Sequence, residues 1–294
     1  PNIEIPETFC NPTYSFPCPT DLTGDGATDA ADLSILLGNW GPWQPTSPDT
    51  DFNNDTNMDV AVSATNAVQL IRGNGAGGVL SSTNIAVTGT LRGIAAVNID
   101  GVNGTDILVA SSSSNSVARL LNNGAGGFTV TNNFVAALPG ALEMASADFN
   151  GDARPDFIVT SATSGATISA CRNNAGAFVC NGITSPQLNC SVDAADVNSD
   201  GKLDFVLASP VSNIVMSYTG DGAFNFTQNA TNGIAANWTN FKLRDIDKDG
   251  FTDIVFSSSA PSVGICRGDN TGKFLAATGV RALTSTPSQV VVGL

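Results

Sequence analysis

Short, wholly apolar runs recur along the chain: Val60-Ala-Val62, Ile107-Leu-Val109, Phe157-Ile-Val159, Phe205-Val-Leu207 and Ile254-Val-Phe256. Runs of that length between polar turns read as strands buried on both faces. After each comes a polar turn such as Ser111-Ser-Ser-Ser114, then a second strand (Val117-Ala-Arg-Leu-Leu121). An Asn/Gly turn follows (Asn122-Asn-Gly-Ala-Gly-Gly127), then a Thr-rich strand beginning at Phe128. An alternating stretch, Gly93-Ile-Ala-Ala-Val97, leads towards the next apolar run. Four strands in about 45 residues, continuous at the centre and alternating outside, predict the blade of a β-propeller.

An acidic turn precedes every apolar run. The fullest is Asp245-Ile-Asp-Lys-Asp-Gly-Phe-Thr-Asp253, with four carboxylates in nine residues. Its relatives begin at 51, 98, 148 and 196, so successive starts are 47, 50, 48 and 49 residues apart. Such a regular period marks a repeat architecture. The expected fold is therefore all-β, a five-bladed β-propeller over residues 51–294, with residues 1–50 as a separate extension. Before Asp51 the prolines of Trp43–Thr50 disfavour a leading strand for the first blade. Ser288-Gln-Val-Val-Val-Gly-Leu294 has the pattern of the missing piece, so residues 288–294 are expected to complete that blade. The alternative is that this strand completes a neighbouring subunit and builds a homo-polymer by strand addition.

The pattern D-x-D/N-x-D-G-x-x-D before an apolar strand, with Gly-Asp-Gly-Ala-Phe224 or Asn-Gly-Ala-Gly-Gly-Phe128 closing the repeat, resembles the FG-GAP/VCBS repeat. The resemblance covers roughly residues 50–294 and implies a calcium-binding propeller like the integrin α-subunit head. It also implies that oxygens at loop positions 1, 3, 5 and 9, with the carbonyl at 7, hold Ca²⁺. The chemistry agrees, because a hard cation takes six to eight oxygens and alternate side chains of a tight turn converge on one point. The matching ligands are Asp51, Asn53, Asp55 and Asp59; Asp148, Asn150, Asp152 and Asp156; Asp196, Asn198, Asp200 and Asp204; and Asp245, Asp247, Asp249 and Asp253. Gly201 and Gly250 supply the bend at position 6, where Thr56 and Ala153 stand in the first and third repeats. The second repeat is degraded, with Asn98 at position 1 and Val102 at position 5.

Asp21, Thr23, Asp25, Asp29 and Asp32 form a different loop, with EF-hand spacing and Gly26 at position 6. With the short helix expected over Leu33–Leu37 it resembles half of a dockerin. Dockerins use two such units to bind cohesins, whereas this chain has one, so a calcium-stapled cap is the simpler expectation. About five calcium ions are expected in all.

Composition narrows the role. Net charge is −14 with 12 Lys and Arg, which argues against nucleic acid, and no apolar run is long enough to insert into a membrane. The six aspartate loops hold 19 of the 26 acids, so the acidity reflects coordination rather than a partner-binding field. The chain has no His, which removes Ser-His-Asp and Cys-His catalysis, and no enzymatic activity is expected. A carboxylate-pair glycosidase is the remaining enzymatic alternative, disfavoured by five equivalent polar loops. Six cysteines, a Ser/Thr/Asn/Gly-rich surface and six Asn-x-Ser/Thr sequons suit a secreted, extracellular or cell-surface protein. Cys10 and Cys18 bracket one short loop and Cys180 and Cys190 another, with Cys171 a rival partner for Cys180; Cys266 reads as a small buried apolar residue. The expected function is a calcium-stabilised structural or adhesive propeller, as subunit of a surface assembly or filament. The alternative is a propeller that binds a glycan or protein ligand.

Overall fold

A computed structural model describes residues 50–102, 104–135, 138–162, 167–184, 190–233, 238–258, 262–276 and 278–282. Seventeen strands account for all the regular structure among them: β1 (Val60–Gly73), β2 (Val79–Val97), β3 (Asp106–Ser111), β4 (Ser116–Asn122), β5 (Phe128–Val135), β6 (Ala141–Ala147), β7 (Asp156–Ser161), β8 (Thr167–Asn174), β9 (Ala177–Thr184), β10 (Ser191–Ala195), β11 (Asp204–Ser209), β12 (Ile214–Gly220), β13 (Phe226–Gly233), β14 (Trp238–Arg244), β15 (Asp253–Ser258), β16 (Ser262–Cys266) and β17 (Thr278–Ala282).

Every pairing is antiparallel between strands consecutive in the chain, giving the sheets β6–β9, β10–β13 and β14–β17. Four of the five expected apolar runs are second strands of their blades, whereas Val60–Val62 is the start of β1, which runs unbroken to Gly73 and pairs only with β2. All of β3, β7, β11 and β15 are buried along their whole length. The leading strands β2, β6, β10 and β14 lie next to one another in that order, as the inner strands of propeller blades do.

The expectation of five blades needs correction, because the described residues form four sheets and the first has five strands, β1–β5. The cause is β2, a single 19-residue strand. Its first part pairs with β1 up to Thr65↔Thr90, and its last part pairs with β3 from Leu91↔Ser111. No break separates the outer strand of the first repeat from the leading strand of the second, so two repeats share one sheet. The first repeat keeps its hairpin but has no leading strand among the described residues. Val60 and Val62 are accordingly 43% and 41% exposed, where their counterparts in the other repeats are buried. Residues 1–49, with the dockerin-like loop and helix, and the strand 288–294 lie outside the described residues.

Three apolar clusters sit between successive blades and a fourth lies within the five-stranded sheet between its two repeats, and each is plugged by the second residue of an aspartate loop. Phe52 packs against Phe128 and Phe149 against Phe226, edge to face with ring centroids 5.8 and 5.4 Å apart. Ile99 and Val197 occupy the same place in their interfaces. A disulfide joins Cys171 to Cys180 across β8 and β9. Cys190 is a buried thiol outside any disulfide, so it does not pair with Cys180, and Cys266 is buried and outside any disulfide as expected.

Candidate metal centre

Each aspartate loop is a tight turn whose side chains fold back on their own backbone. Asp51 accepts hydrogen bonds from the amides of Asp55 (3.1 Å) and Thr56 (2.7 Å). Asp148 accepts from Asp152 (3.1 Å) and Ala153 (2.7 Å), and Asp196 from Asp200 (3.2 Å) and Gly201 (2.8 Å). Asn53, Asn150 and Asn198 each direct Oδ1 at the amide of position 5. The turn requires left-handed backbone at position 6, with φ of 80° at Gly201 and 92° at Gly250. Thr56 and Ala153 adopt it as well, at 71° and 63°, so the sequence departure is absorbed as strain and no ligand is displaced.

In the fifth loop three acids converge, and one oxygen among them is left without a hydrogen-bond partner. One oxygen each from Asp245, Asp247 and Asp253 lie within 4.8 Å of one another. Asp245 Oδ2 accepts from the Gly250 amide at 3.0 Å, but Oδ1 is buried and accepts no hydrogen bond. A buried acceptor left bare costs about 1–3 kcal/mol. The donor set is all oxygen, which suits a hard cation such as Ca²⁺ and not a thiolate- or imidazole-seeking metal. These residues therefore fit calcium. Basic side chains meet the exposed rims, with Arg267 3.1 Å from Asp247 and Arg154 2.9 Å from Asp152.

The ninth residue plays a part that the ligand pattern did not reveal. Asp59, Asp106, Asp156, Asp204 and Asp253 are 0–1% exposed, and in each both carboxylate oxygens accept backbone amides from two other segments. Asp106 takes Ile99 N at 2.8 Å and Asn122 N at 2.7 Å. Asp156 takes Phe149 and Asn173, and Asp204 takes Val197 and Gly220. Asp59 takes Phe52 and Gly73, and Asp253 takes Ile246 and Gly268. The ninth carboxylate thus ties the amide of the interface plug to the end of the third strand in its blade. Burial raises the pKa of Asp156 to about 7 and that of Asp204 to about 6, against the pull of those amides. One signal in the sequence marks the far end of the clamp. The residue before each Asn/Gly or Asp-led turn is Gly73, Asn122, Asn173, Gly220 or Gly268, always Gly or Asn.

The second loop keeps this clamp and little else. Asn98 Oδ1 accepts from Gly101 and Asp100 Oδ1 from Val102, which is exposed where a ligand is expected. Asn122 and Asn173 also reach back to the preceding loop, donating Nδ2 to the carbonyls of Phe52 (2.8 Å) and Ile99 (2.9 Å). Asp21, Thr23, Asp25, Asp29 and Asp32 are outside the described residues.

Comparison with known proteins agrees with this architecture. The family model described as "FG-GAP-like repeat" matches residues 98–159 and 196–256, each running from one aspartate loop into the buried strand of the next blade. Together with the blade arrangement this supports an FG-GAP propeller. Among curated protein sequences none matches. Among solved structures the chain is similar to BBS1N in complex with ARL6DN, soaked with mercury, at a TM-score of 0.55 and 11% identity over 79% of this chain. The lead-soaked form gives 0.52 and 11% over 78% of this chain. The chain spans 65% and 64% of the length of those two, under two thirds. A functionally unknown protein from Desulfotomaculum acetoxidans DSM 771 is similar at a TM-score of 0.58 and 12% identity, with 81% of this chain and 70% of that one covered. At these identities the likeness is one of fold.

Proposed function

We propose that the protein is a calcium-stabilised extracellular propeller with a structural or adhesive role and no catalytic one. The observation that carries the reading is the fifth loop, where the bare, buried Oδ1 of Asp245 stands among the carboxylates of Asp247 and Asp253. Calcium would be held there by Asp245, Asp247, Asp249 and Asp253, and by the matching residues of the loops starting at 51, 148 and 196. Bound, it supplies the positive charge and the oxygen coordination that crowded carboxylates need. Asp21, Thr23, Asp25, Asp29 and Asp32 are proposed to form a further site in the extension. The Cys171–Cys180 bridge supports an oxidising, extracellular setting.

The test is calorimetric melting with calcium and with excess chelator. Binding to the folded state alone raises its stability by about 2.7 kcal/mol per site at a hundredfold excess over Kd. Chelation is expected to lower the Tm by several degrees. Asp249→Ala, an exposed residue, is expected to lower it in calcium and leave it nearly unchanged in chelator. A Tm indifferent to chelator sinks the reading.

A further inference from the structure

Basic residues stand around the aspartate loops in a pattern that the ligand set alone does not explain. Two places recur: loop position 7, and the residue just before the amide at the far end of the clamp. The third loop has Arg154 at the first place and Arg172 at the second, and the fourth has Lys202 at the first. The first and fifth loops have Arg72 and Arg267 at the second place. The second loop, the one without a full ligand set, has Gly104 and Leu121 there. Of the chain's 12 Lys and Arg, five fall on these ten positions, far more than scatter would put there. Positive charge thus accompanies a complete set of oxygens and is missing where the set is broken.

In three loops the fold brings that charge onto a ligand carboxylate. Arg267 Nε lies 3.1 Å from Asp247 Oδ2, Arg154 Nη2 2.9 Å from Asp152 Oδ2, and Lys202 Nζ 4.0 Å from Asp200 Oδ2. Arg267 is held most firmly at its backbone. Its carbonyl accepts the Leu275 amide at 2.8 Å, and the next amide, that of Gly268, is held by Asp253 Oδ1 at 2.9 Å. The ninth carboxylate of the loop therefore fixes the segment from which Arg267 reaches Asp247, one of the three convergent acids. The side chains themselves are 55% exposed at Arg267, 45% at Arg154 and 46% at Lys202, so each has solvent to swing into. In the first loop Arg72 donates to the Gly126 carbonyl at 3.1 Å instead.

A divalent ion and a basic side chain at one carboxylate repel each other, whichever oxygen each contacts. Crowded acids need a positive charge before calcium binds and have one to spare afterwards. We propose that Arg267, Arg154 and Lys202 are resident counter-ions that stand in for calcium and set its affinity. Each steadies its loop before the ion binds, and each weakens the ion's binding by its own charge. The inference rests on the calcium reading of the loops and adds to it what tunes them, towards the weak range typical of extracellular calcium modules.

The test follows single loops in the isotope-labelled full chain by NMR during a calcium titration. The Gly250 amide, accepted by Asp245, reports the fifth loop, and the Ala153 amide, accepted by Asp148, reports the third. Arg267→Gln is expected to tighten calcium at the fifth loop about two- to fivefold, the span of an exposed ion pair, and to leave the third unchanged. Arg267→Lys is expected to restore the native affinity, and high salt to narrow the difference. Arg267→Gln is also expected to lower the Tm in chelator but not in saturating calcium, whereas a purely structural side chain would matter in both. Should Arg267→Gln fail to fold, Arg154→Gln read at Ala153 decides in its place. Equal or weaker calcium binding at the fifth loop of a folded Arg267→Gln variant overturns the proposal and leaves the calcium reading standing. Gly250 and Ala153 amides that ignore calcium in the native chain overturn both.

Discussion

Replacing Asp106 by Asn separates what the ninth carboxylate does for the fold from what it does for a metal. The second loop lacks a full ligand set, so only the clamp is at stake there. Asp106 is 0% exposed and its two oxygens accept Ile99 N at 2.8 Å and Asn122 N at 2.7 Å. Asn keeps one acceptor and turns Nδ2 towards the other amide, leaving a buried N–H unsatisfied. That costs about 1–3 kcal/mol. The variant no longer buries a charge, which offsets part of the loss, so about 2 kcal/mol is expected. For a domain of this size that lowers Tm by about 4–8 °C. Urea unfolding near neutral pH, followed by circular dichroism and by the fluorescence of the buried Trp238, measures it. The cost is expected to be the same in calcium and in chelator, unlike that of Asp249→Ala. A cost below about 0.5 kcal/mol, the size of an ordinary surface change, refutes the clamp. A cost that vanishes in chelator shows that the second loop holds an ion after all.

Thr56→Gly relieves a β-branched residue at φ 71° and is expected to stabilise the fold by about 1 kcal/mol, read as a shift of the urea midpoint; a destabilised variant refutes the strain. Asp156 and Asp204, raised to about 7 and about 6, bind protons more tightly folded than unfolded, so they favour the metal-free fold more as pH falls from about 7 towards 4. Protons compete with calcium for the same carboxylates, so the Tm gain from calcium is expected to shrink over that range; parallel pH profiles with and without calcium refute the shared ligands. Closure of the first blade by residues 288–294 predicts that their removal lowers the Tm and promotes self-association through Val60 and Val62, which light scattering detects. Exchange of that strand between subunits predicts instead a normally stable monomer that no longer polymerises, and normal melting with normal assembly refutes both.

The repeat was legible because two physical demands recur at one period. A second strand buried on both faces must be apolar throughout, and the loop before it must gather oxygens. Leu108 and Asp156 announce those demands by residue type alone. The ninth aspartate was legible as an acid but not as a clamp, because its partners are backbone amides and those carry no letter. Only Gly or Asn at 73, 122, 173, 220 and 268 hints at where the second amide lies. The merging of the first two repeats was hidden for a related reason. Whether Thr90 ends a strand or continues it depends on the neighbours of β2, not on its own side chains.

These features join into one mechanical argument about what a metal in the loops would control. The second residue of each loop, Phe52, Ile99, Phe149 or Val197, plugs the interface with the next repeat. Its amide is held by the ninth carboxylate, and in two blades its carbonyl is held by Asn122 or Asn173 of the following blade. Ordering a loop therefore orders a blade interface, and releasing the ion frees first and fifth positions while the clamp persists. Loss of calcium is then expected to loosen interfaces rather than melt strands, because the ladder hydrogen bonds lie outside the loops. The interface plugged by Ile99 is the exception, since its loop depends on Asp106 and not on a full ligand set. It should stay closed longest on chelation, and amide exchange at Ile99 and Asn122 should slow relative to Phe149 and Asn173 once calcium is withdrawn. Equal exchange at both pairs in chelator would mean that the metal and the clamp do not divide the load in this way.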